Sequence, residues 1–184
     1  MVAVETVSEG LRKLDVNGKP IRKVAGNARV VLGDITPHNI LQLKALHNAI
    51  FPFNYNDKFY TEVRGSGELT RLAYFNDVVV GAVTCRINNS TDKKSLYIMT
   101  FGVLPVYRQF GIGTELINYT LQLAEKDESI KTISLHVHID NQLALNFYKK
   151  HGFEQQELVE NYYELLPSID MKHEAYSLVK KIRD

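Results

Sequence analysis

The chain has 184 residues, 45% of them hydrophobic, and a formal net charge of +1. That length supports one domain with a substantial core, and the near-neutral charge argues against a nucleic-acid or acidic-membrane surface. Cys85 is the single cysteine, which excludes a disulfide framework and a thiolate metal cage, and no apolar run reaches the roughly 18 residues of a membrane span.

Residues 1–27 differ in character from the rest of the chain. They carry Arg12, Lys13, Lys19, Arg22 and Lys23 against Glu5, Glu9 and Asp15, with Pro20 and several glycines but no sustained hydrophobic period. We expect a flexible N-terminal extension, with an address or docking arm as the alternative, and one domain over residues 28–184. Met1 to Gly10 lacks a secretory apolar stretch. The expected compartment is therefore reducing and cytoplasmic, with the nucleus as a second location.

Ala28–Leu32 reads as a first strand. Thr36 before Pro37 has the form of an N-cap followed by proline at the first helical position. The helix it predicts runs through Ile40, Leu43, Leu46 and Ile50 and stops at Phe51, because the residue before Pro52 disfavours helix. Phe51-Pro52-Phe53-Asn54-Tyr55 is then a loop crowded with aromatics, which either folds back on the core or lines a pocket. Asp57–Val63 is a second short helix, ended by Gly65-Ser66-Gly67. Leu69–Phe75 and Val78–Ile87 are strands joined across Asn76-Asp77, a tight-turn dipeptide. Cys85 lies in the apolar part of the second, where a buried structural thiol is the expectation. Asn88–Lys94 is a polar turn leading to Leu96–Val103 as an antiparallel neighbour.

The stretch Tyr97–Thr114 organises the chain. Tyr97–Val103 is apolar and rich in β-formers, as suits a strand buried on both faces. Leu104-Pro105 ends it. Arg108–Gly113 then has the spacing R-x-x-G-x-G, followed at once by a helix through Ile112, Leu116, Ile117, Leu121 and Ala124. Glycines in the first turn leave amide hydrogens uncovered at the positive end of the helix dipole, a ready site for phosphate or diphosphate. The spacing is neither the dinucleotide G-x-G-x-x-G nor the triphosphatase G-x-x-x-x-G-K-[ST]. On spacing alone, a plain turn with glycines for close packing stays open.

Beyond Lys126, Thr132–Val137 is a fifth strand, reached through a helix and so expected to be parallel to its neighbour. Asn141 caps the helix Gln142–Lys150, and Gly152 is its left-handed C-cap. Phe153–Val159 and Glu174–Lys180 are the last strands, expected to pair. The sum is an α/β (α+β) fold with a mixed central sheet of about seven strands and four main helices.

The ordered set Phe51-Pro52, Tyr55–Tyr60, Leu72–Asp77, Tyr97–Thr100, Gly111–Thr114, Leu135–Val137, Phe147–Lys150 with Gly152-Phe153, and Asn161–Tyr163 resembles the N-alpha-acetyltransferase 50 family. These are the NatE-type (San, separation-anxiety) enzymes of the GNAT acetyltransferase superfamily. The resemblance covers about Leu32 to Lys180. It implies transfer of acetyl from acetyl-CoA to the α-amine of protein N-termini, favouring Met followed by a hydrophobic residue, with some lysine acetylation. It implies a GNAT-like sheet whose fourth and fifth strands splay, with the cofactor's pantetheine between them. Tyr97 and His136 would be the catalytic pair, acting through an ordered water. Phe51, Pro52, Phe53, Tyr55, Met99, Tyr162 and Tyr163 would hold the substrate's first residues. Acetyl-CoA would lie against Phe101, Gly102, Val103, Arg108, Gln109, Gly111, Ile112, Gly113, Thr114, Asn141, Tyr148 and Lys150. Association with the auxiliary and catalytic subunits of the NatA complex, and a link to sister chromatid cohesion, are implied too. No metal, nucleic acid or membrane is expected. Two departures stand out. Phe53 occupies a position usually held by a smaller valine, which narrows the pocket. Gln109 often has a basic counterpart, and Pro105 is shifted by one position.

The residues support this chemistry on separate grounds. Acetyl transfer from a thioester needs a neutral amine, a dry slot for the acyl group and a donor for the developing oxyanion. Histidine, with a pKa of about 6.5, accepts a proton at neutral pH, whereas tyrosine at about 10 orients water better than it acts as a base. His136 alone, between Leu135 and Val137, has a bland alternative as a structural histidine. His138 lies at the strand's end and is expected to be exposed; with His136 it forms no metal pair, because no carboxylate or cysteine completes the set. Tyr148 is either a core ring or a group near the cofactor sulfur. Neutralising a lysine costs roughly 3.5 kcal/mol more than neutralising an α-amine at neutral pH, so one weak base suits termini better. The alternatives are a lysine or small-amine acetyltransferase, and a weakly active accessory subunit.

Overall fold

The computed structural model describes residues 29–89, 94–163 and 173–184. The N-terminal extension expected over residues 1–27, and the centre of the polar turn before the fourth strand, lie outside those residues. Among the described residues the elements are β1 (Val30–Asp34), α1 (Ile40–Ile50), α2 (Asp57–Arg64), β2 (Thr70–Phe75), β3 (Val78–Asn89), β4 (Lys94–Val103), α3 (Ile112–Lys126), β5 (Ile130–His138), α4 (Gln142–Lys150), β6 (Glu154–Val159) and β7 (Ala175–Lys181). The strands form one seven-stranded sheet in the order β1-β2-β3-β4-β5-β7-β6. Every pairing is antiparallel except β4 with β5, which is parallel and joined through α3.

Local chemistry explains most of the boundaries. Asn76 and Asp77 both take positive φ, 47° and 67°, the pair of left-handed residues that a tight hairpin with right-handed strand twist requires. Asn56 caps α2, its side chain accepting from the Phe59 amide, and Asn141 does the same for α4 through the Ala144 amide. Gly152 has φ +79° just past α4. The start of α1 differs from the expectation. Thr36 and Pro37 belong to a closed turn: the Thr36 amide donates to Asn39 Oδ1 at 2.7 Å, and the Asn39 amide returns a bond to the Thr36 carbonyl. Asn39 therefore takes the N-cap position, and the helix begins at Ile40.

Helices cover both faces of the sheet. Ile112, Leu116, Ile117 and Ala124 of α3 and Tyr148 of α4 pack with Leu96, Ile98, Phe101 and Val103 of β4. On the other face Leu43, Leu46 and Ile50 of α1 and Tyr60 and Val63 of α2 pack over Leu72 and Ala82. Gly102 permits the second layer to come this close, since a Cβ there would meet Ile50 at 2.9 Å. Cys85 is buried, with its thiol pushed up to about 12 by burial, the structural role expected of it.

One irregularity positions the site. In the β3–β4 ladder Thr84 pairs with Thr100 and Cys85 with Ile98, so Met99 is skipped as a β-bulge. Leu96 and Ile98 precede the bulge and Phe101 and Val103 follow it, yet all four belong to the same core cluster. The alternation is reset within the strand. Tyr97 and Thr100 consequently face away from that core, towards the layer of α1 and α2.

Candidate active site

The pairing of β4 with β5 runs from Lys94 to Tyr97 and from Ile130 to Ser134, and ends there. Ile98–Val103 and Leu135–His138 continue as strand without pairing to each other. Tyr97 stands at the fork and His136 two residues beyond it on the other arm. Their side chains meet: Tyr97 Oη is 2.9 Å from His136 Nδ1 and 2.7 Å from Tyr162 Oη. The Tyr162 ring stacks on His136 at 4.3 Å with an interplanar angle of 17°, and Tyr163 closes the group with its ring 4.9 Å from Tyr162.

Burial sets the electrostatics of this cluster. It raises the Tyr97 phenol well above the ordinary range and raises Tyr162 as well, while it lowers the His136 imidazole. Near neutral pH the phenols are protonated and His136 is neutral. A chain in which Tyr162 donates to Tyr97, and Tyr97 to an unprotonated Nδ1, accounts for both short distances. Arg86 of β3, opposite Tyr97 in the ladder, lays its guanidinium 4.8 Å from the Tyr97 ring centroid.

The aromatic loop adjoins this cluster. Phe51, Phe53 and Tyr55 contact one another with ring centroids 5.2–6.0 Å apart. Tyr55 is raised far above its usual range by burial, with the phenols of Tyr163, Tyr60 and Tyr162 adding to the effect. Phe51 is buried, Phe53 and Tyr55 half-buried and Pro52 exposed, and Met99 is the bulged residue beside Tyr97. The hydroxyls of Tyr55, Tyr148 and Tyr163 are buried without a hydrogen-bond partner. Buried polar groups of this kind are met by an ordered water or by a ligand.

The glycine turn lies at the open end of the fork. Gly111, with φ +82°, occupies the N-cap position of α3, and no side chain caps that end. Gly113 lies under Phe147, and Phe147 and Tyr148 flank Phe101 at 5.5 and 5.7 Å. Uncapped amides at a helix start suit an anionic group, and an open edge between two parallel strands suits an extended arm bearing amides. A thioester of that shape therefore fits the residues present.

Several expected cofactor residues have structural tasks. Arg108 Nε donates to the Val103 carbonyl, tying the turn to the strand that feeds it. The Ile112 side chain is in the core and Asn141 caps α4. Gly102 serves the approach of α1, while Gln109, with φ +69°, Thr114 and Lys150 are exposed. His138 corrects an expectation: it is 2% exposed, because β5 extends through it and the Tyr163 ring covers it at 5.5 Å. Arg86 on the Tyr97 ring and His47 behind the aromatic loop are additions to the residues expected from the sequence. The hairpin register of β3 against β4 was the one signal for Arg86; for His47 there was none.

Comparison with known proteins shows the family. The Acetyltransferase (GNAT) family model matches residues 40–153. N-alpha-acetyltransferase 50 of Danio rerio is 52% identical over 155 residues, covering 84% of this chain and 90% of that protein. A probable N-acetyltransferase san of Drosophila melanogaster is 50% identical, covering 84% and 82%. Among solved structures, Arabidopsis thaliana Naa50 in complex with the bisubstrate analogue CoA-Ac-MVNAL aligns at 40% identity with a TM-score of 0.73, covering 82% of this chain and 97% of that one. The fold, the forked strands and these relatives together assign the chain to the GNAT acetyltransferase family, among the relatives of N-alpha-acetyltransferase 50 and san.

Proposed function

We propose that the chain transfers the acetyl group of acetyl-CoA to the α-amine of protein N-termini, with preference for Met followed by a hydrophobic residue. The observation that carries this reading is the Tyr97–His136 hydrogen bond at the point where β4 and β5 part. Acetyl-CoA supplies the activated acyl group. The amides of Gly111 and Gly113 receive its diphosphate end, and the open edges of β4 and β5 hold its arm. Tyr97 and His136 act through one water, which takes the amine's proton and passes one to Tyr97 Oη. The Tyr97 hydroxyl's own proton moves to Nδ1 of neutral His136, while the acetyl–sulfur bond breaks and CoA leaves as the thiolate. Tyr162 stacks on the imidazole and fixes its plane. Phe51, Phe53 and Tyr55 exclude water around the first side chain, and the unpartnered hydroxyls of Tyr55 and Tyr163 are available to polar groups of the peptide backbone. Kinship with the zebrafish and fly proteins and the MVNAL-bearing complex of the plant protein support an α-amine acceptor.

Steady-state kinetics on Met-Leu peptides test it. Tyr97→Phe and His136→Ala should each lower kcat on the order of 100-fold or more, and unchanged turnover in both would overturn the mechanism. Peptides blocked at the N-terminus but bearing lysine separate the lysine alternative, which equal or faster acetylation would favour. The same resemblance supports association with NatA subunits in the cytoplasm and nucleus, tested by co-purification with the auxiliary subunit.

A further inference from the structure

His47 lies on α1, 2% exposed, behind the aromatic loop. Its two ring nitrogens meet hydroxyls on different elements: Nδ1 is 3.3 Å from Tyr60 Oη on α2, and Nε2 is 3.3 Å from Thr100 Oγ1 on β4. The ring also supports the loop, with centroids 5.2 Å from Phe51 and 5.2 Å from Tyr55. Thr100 directly follows the bulged Met99. One imidazole thus ties the strand that carries Tyr97 to the loop and to α2.

An aliphatic side chain could fill this space, so packing alone does not account for histidine. Burial holds the imidazole neutral, pushed down to about 3, so it presents one donor and one acceptor. Hydroxyls can take either role, so both anchors are satisfied at once. Phe51 in the core beside α1 and Tyr55 stacked on Phe59 of α2 at 4.4 Å also hold the loop, and His47 adds to these a hydrogen bond to β4 itself.

We propose that His47 is a positioning residue for acceptor selection, setting the distance between the Phe51–Tyr55 loop and β4 and thereby the width of the pocket for the substrate's first side chain. This rests on the N-terminal acetyltransferase reading. It places selectivity in a residue that touches neither the amine nor the acetyl group. Its mutation should therefore move peptide affinity and leave the chemical step alone.

The test compares wild type, His47→Leu, Tyr60→Phe and Thr100→Val on peptides that differ only in a first Met or Ala. For His47→Leu the expected result is a KM for the Met peptide raised on the order of tenfold, kcat within about twofold, and an unchanged KM for acetyl-CoA. Preference for Met over Ala should fall about fivefold or more. Tyr60→Phe and Thr100→Val should each reproduce part of the effect, and neither should add to it in the His47→Leu background. If His47→Leu does not fold, the two hydroxyl variants carry the test. Unchanged selectivity, or a uniform loss on both peptides that follows a lowered Tm, overturns the proposal. A wild type that binds acetyl-CoA but acetylates no N-terminus removes the functional reading and this inference with it. A selective wild type with equally selective variants removes only this inference.

Discussion

Acidification should destabilise this protein through His47, and the structure sets the size of the effect. The folded imidazole titrates at about 3 because it is buried, whereas in the unfolded chain it titrates at about 6.5. Between those values the unfolded state binds a proton that the folded state does not, so stability rises with pH and is lost as pH falls below about 6.5. The slope is about 1.4 kcal/mol per pH unit, which makes roughly 3 kcal/mol at pH 4.5. Against a typical total of about 5–15 kcal/mol that is a large share. The phenols packed around the ring do not offset it: Tyr60 is pushed up to about 12 and Tyr55 higher, so both stay uncharged throughout. Urea unfolding of wild type and His47→Asn, between pH 7.5 and 4.5, measures the difference directly. His136 is lowered as well and adds a slope of the same sign, but it is present in both proteins and cancels. Above about pH 6.5 the two curves should run parallel, and below it the wild-type curve should fall more steeply than the variant's by about 1.4 kcal/mol per pH unit at equal m-values. Curves that stay parallel down to about pH 4.5 would refute the reasoning from burial.

Three further outcomes follow from the geometry. Gly102→Ala places a Cβ 2.9 Å from Ile50 Cγ2, which should cost about 1–3 kcal/mol and lower Tm by forcing α1 from the sheet. Gly111→Ala meets no neighbouring atom but keeps a φ of +82°, so thermal unfolding should show a loss of about 1–2 kcal/mol. The acidic limb of kcat/KM should lie below pH 6.5, because burial lowers His136, and should disappear in His136→Ala; a limb that persists there would assign the base elsewhere.

The sequence was legible where one residue type has one local use. Asn76-Asp77 announced a hairpin, Gly111 and Gly113 an uncapped helix start, and the helical connection before Thr132 a parallel crossover; each is present. Two predicted features failed because local signals were outvoted by contacts. Thr36-Pro37 carried a helix-start signature, but the Asn39 side chain reached back to the Thr36 amide and moved the cap. His138 looked like a strand end, and Tyr163, distant in sequence, buried it. The bulge at Met99 left no trace, since every residue from Tyr97 to Met99 is apolar or aromatic and neither period is interrupted. His47 had no signal either: on a buried helix face a histidine reads like any core residue until its two hydroxyl partners, 13 and 53 residues away in sequence, are located.

The most direct test of the central claim is a crystal structure of the chain with a bisubstrate analogue joining CoA to the amine of a Met-Leu peptide. The pantetheine arm should lie between β4 and β5 beyond Tyr97 and Ser134, with the diphosphate on the amides of Gly111 and Gly113. The acceptor nitrogen should sit within one water of Tyr97 and His136, and the Met side chain among Phe51, Phe53 and Tyr55. An acceptor nitrogen on the α3–α4 face of the sheet, or an arm bound outside the fork, would contradict the claim.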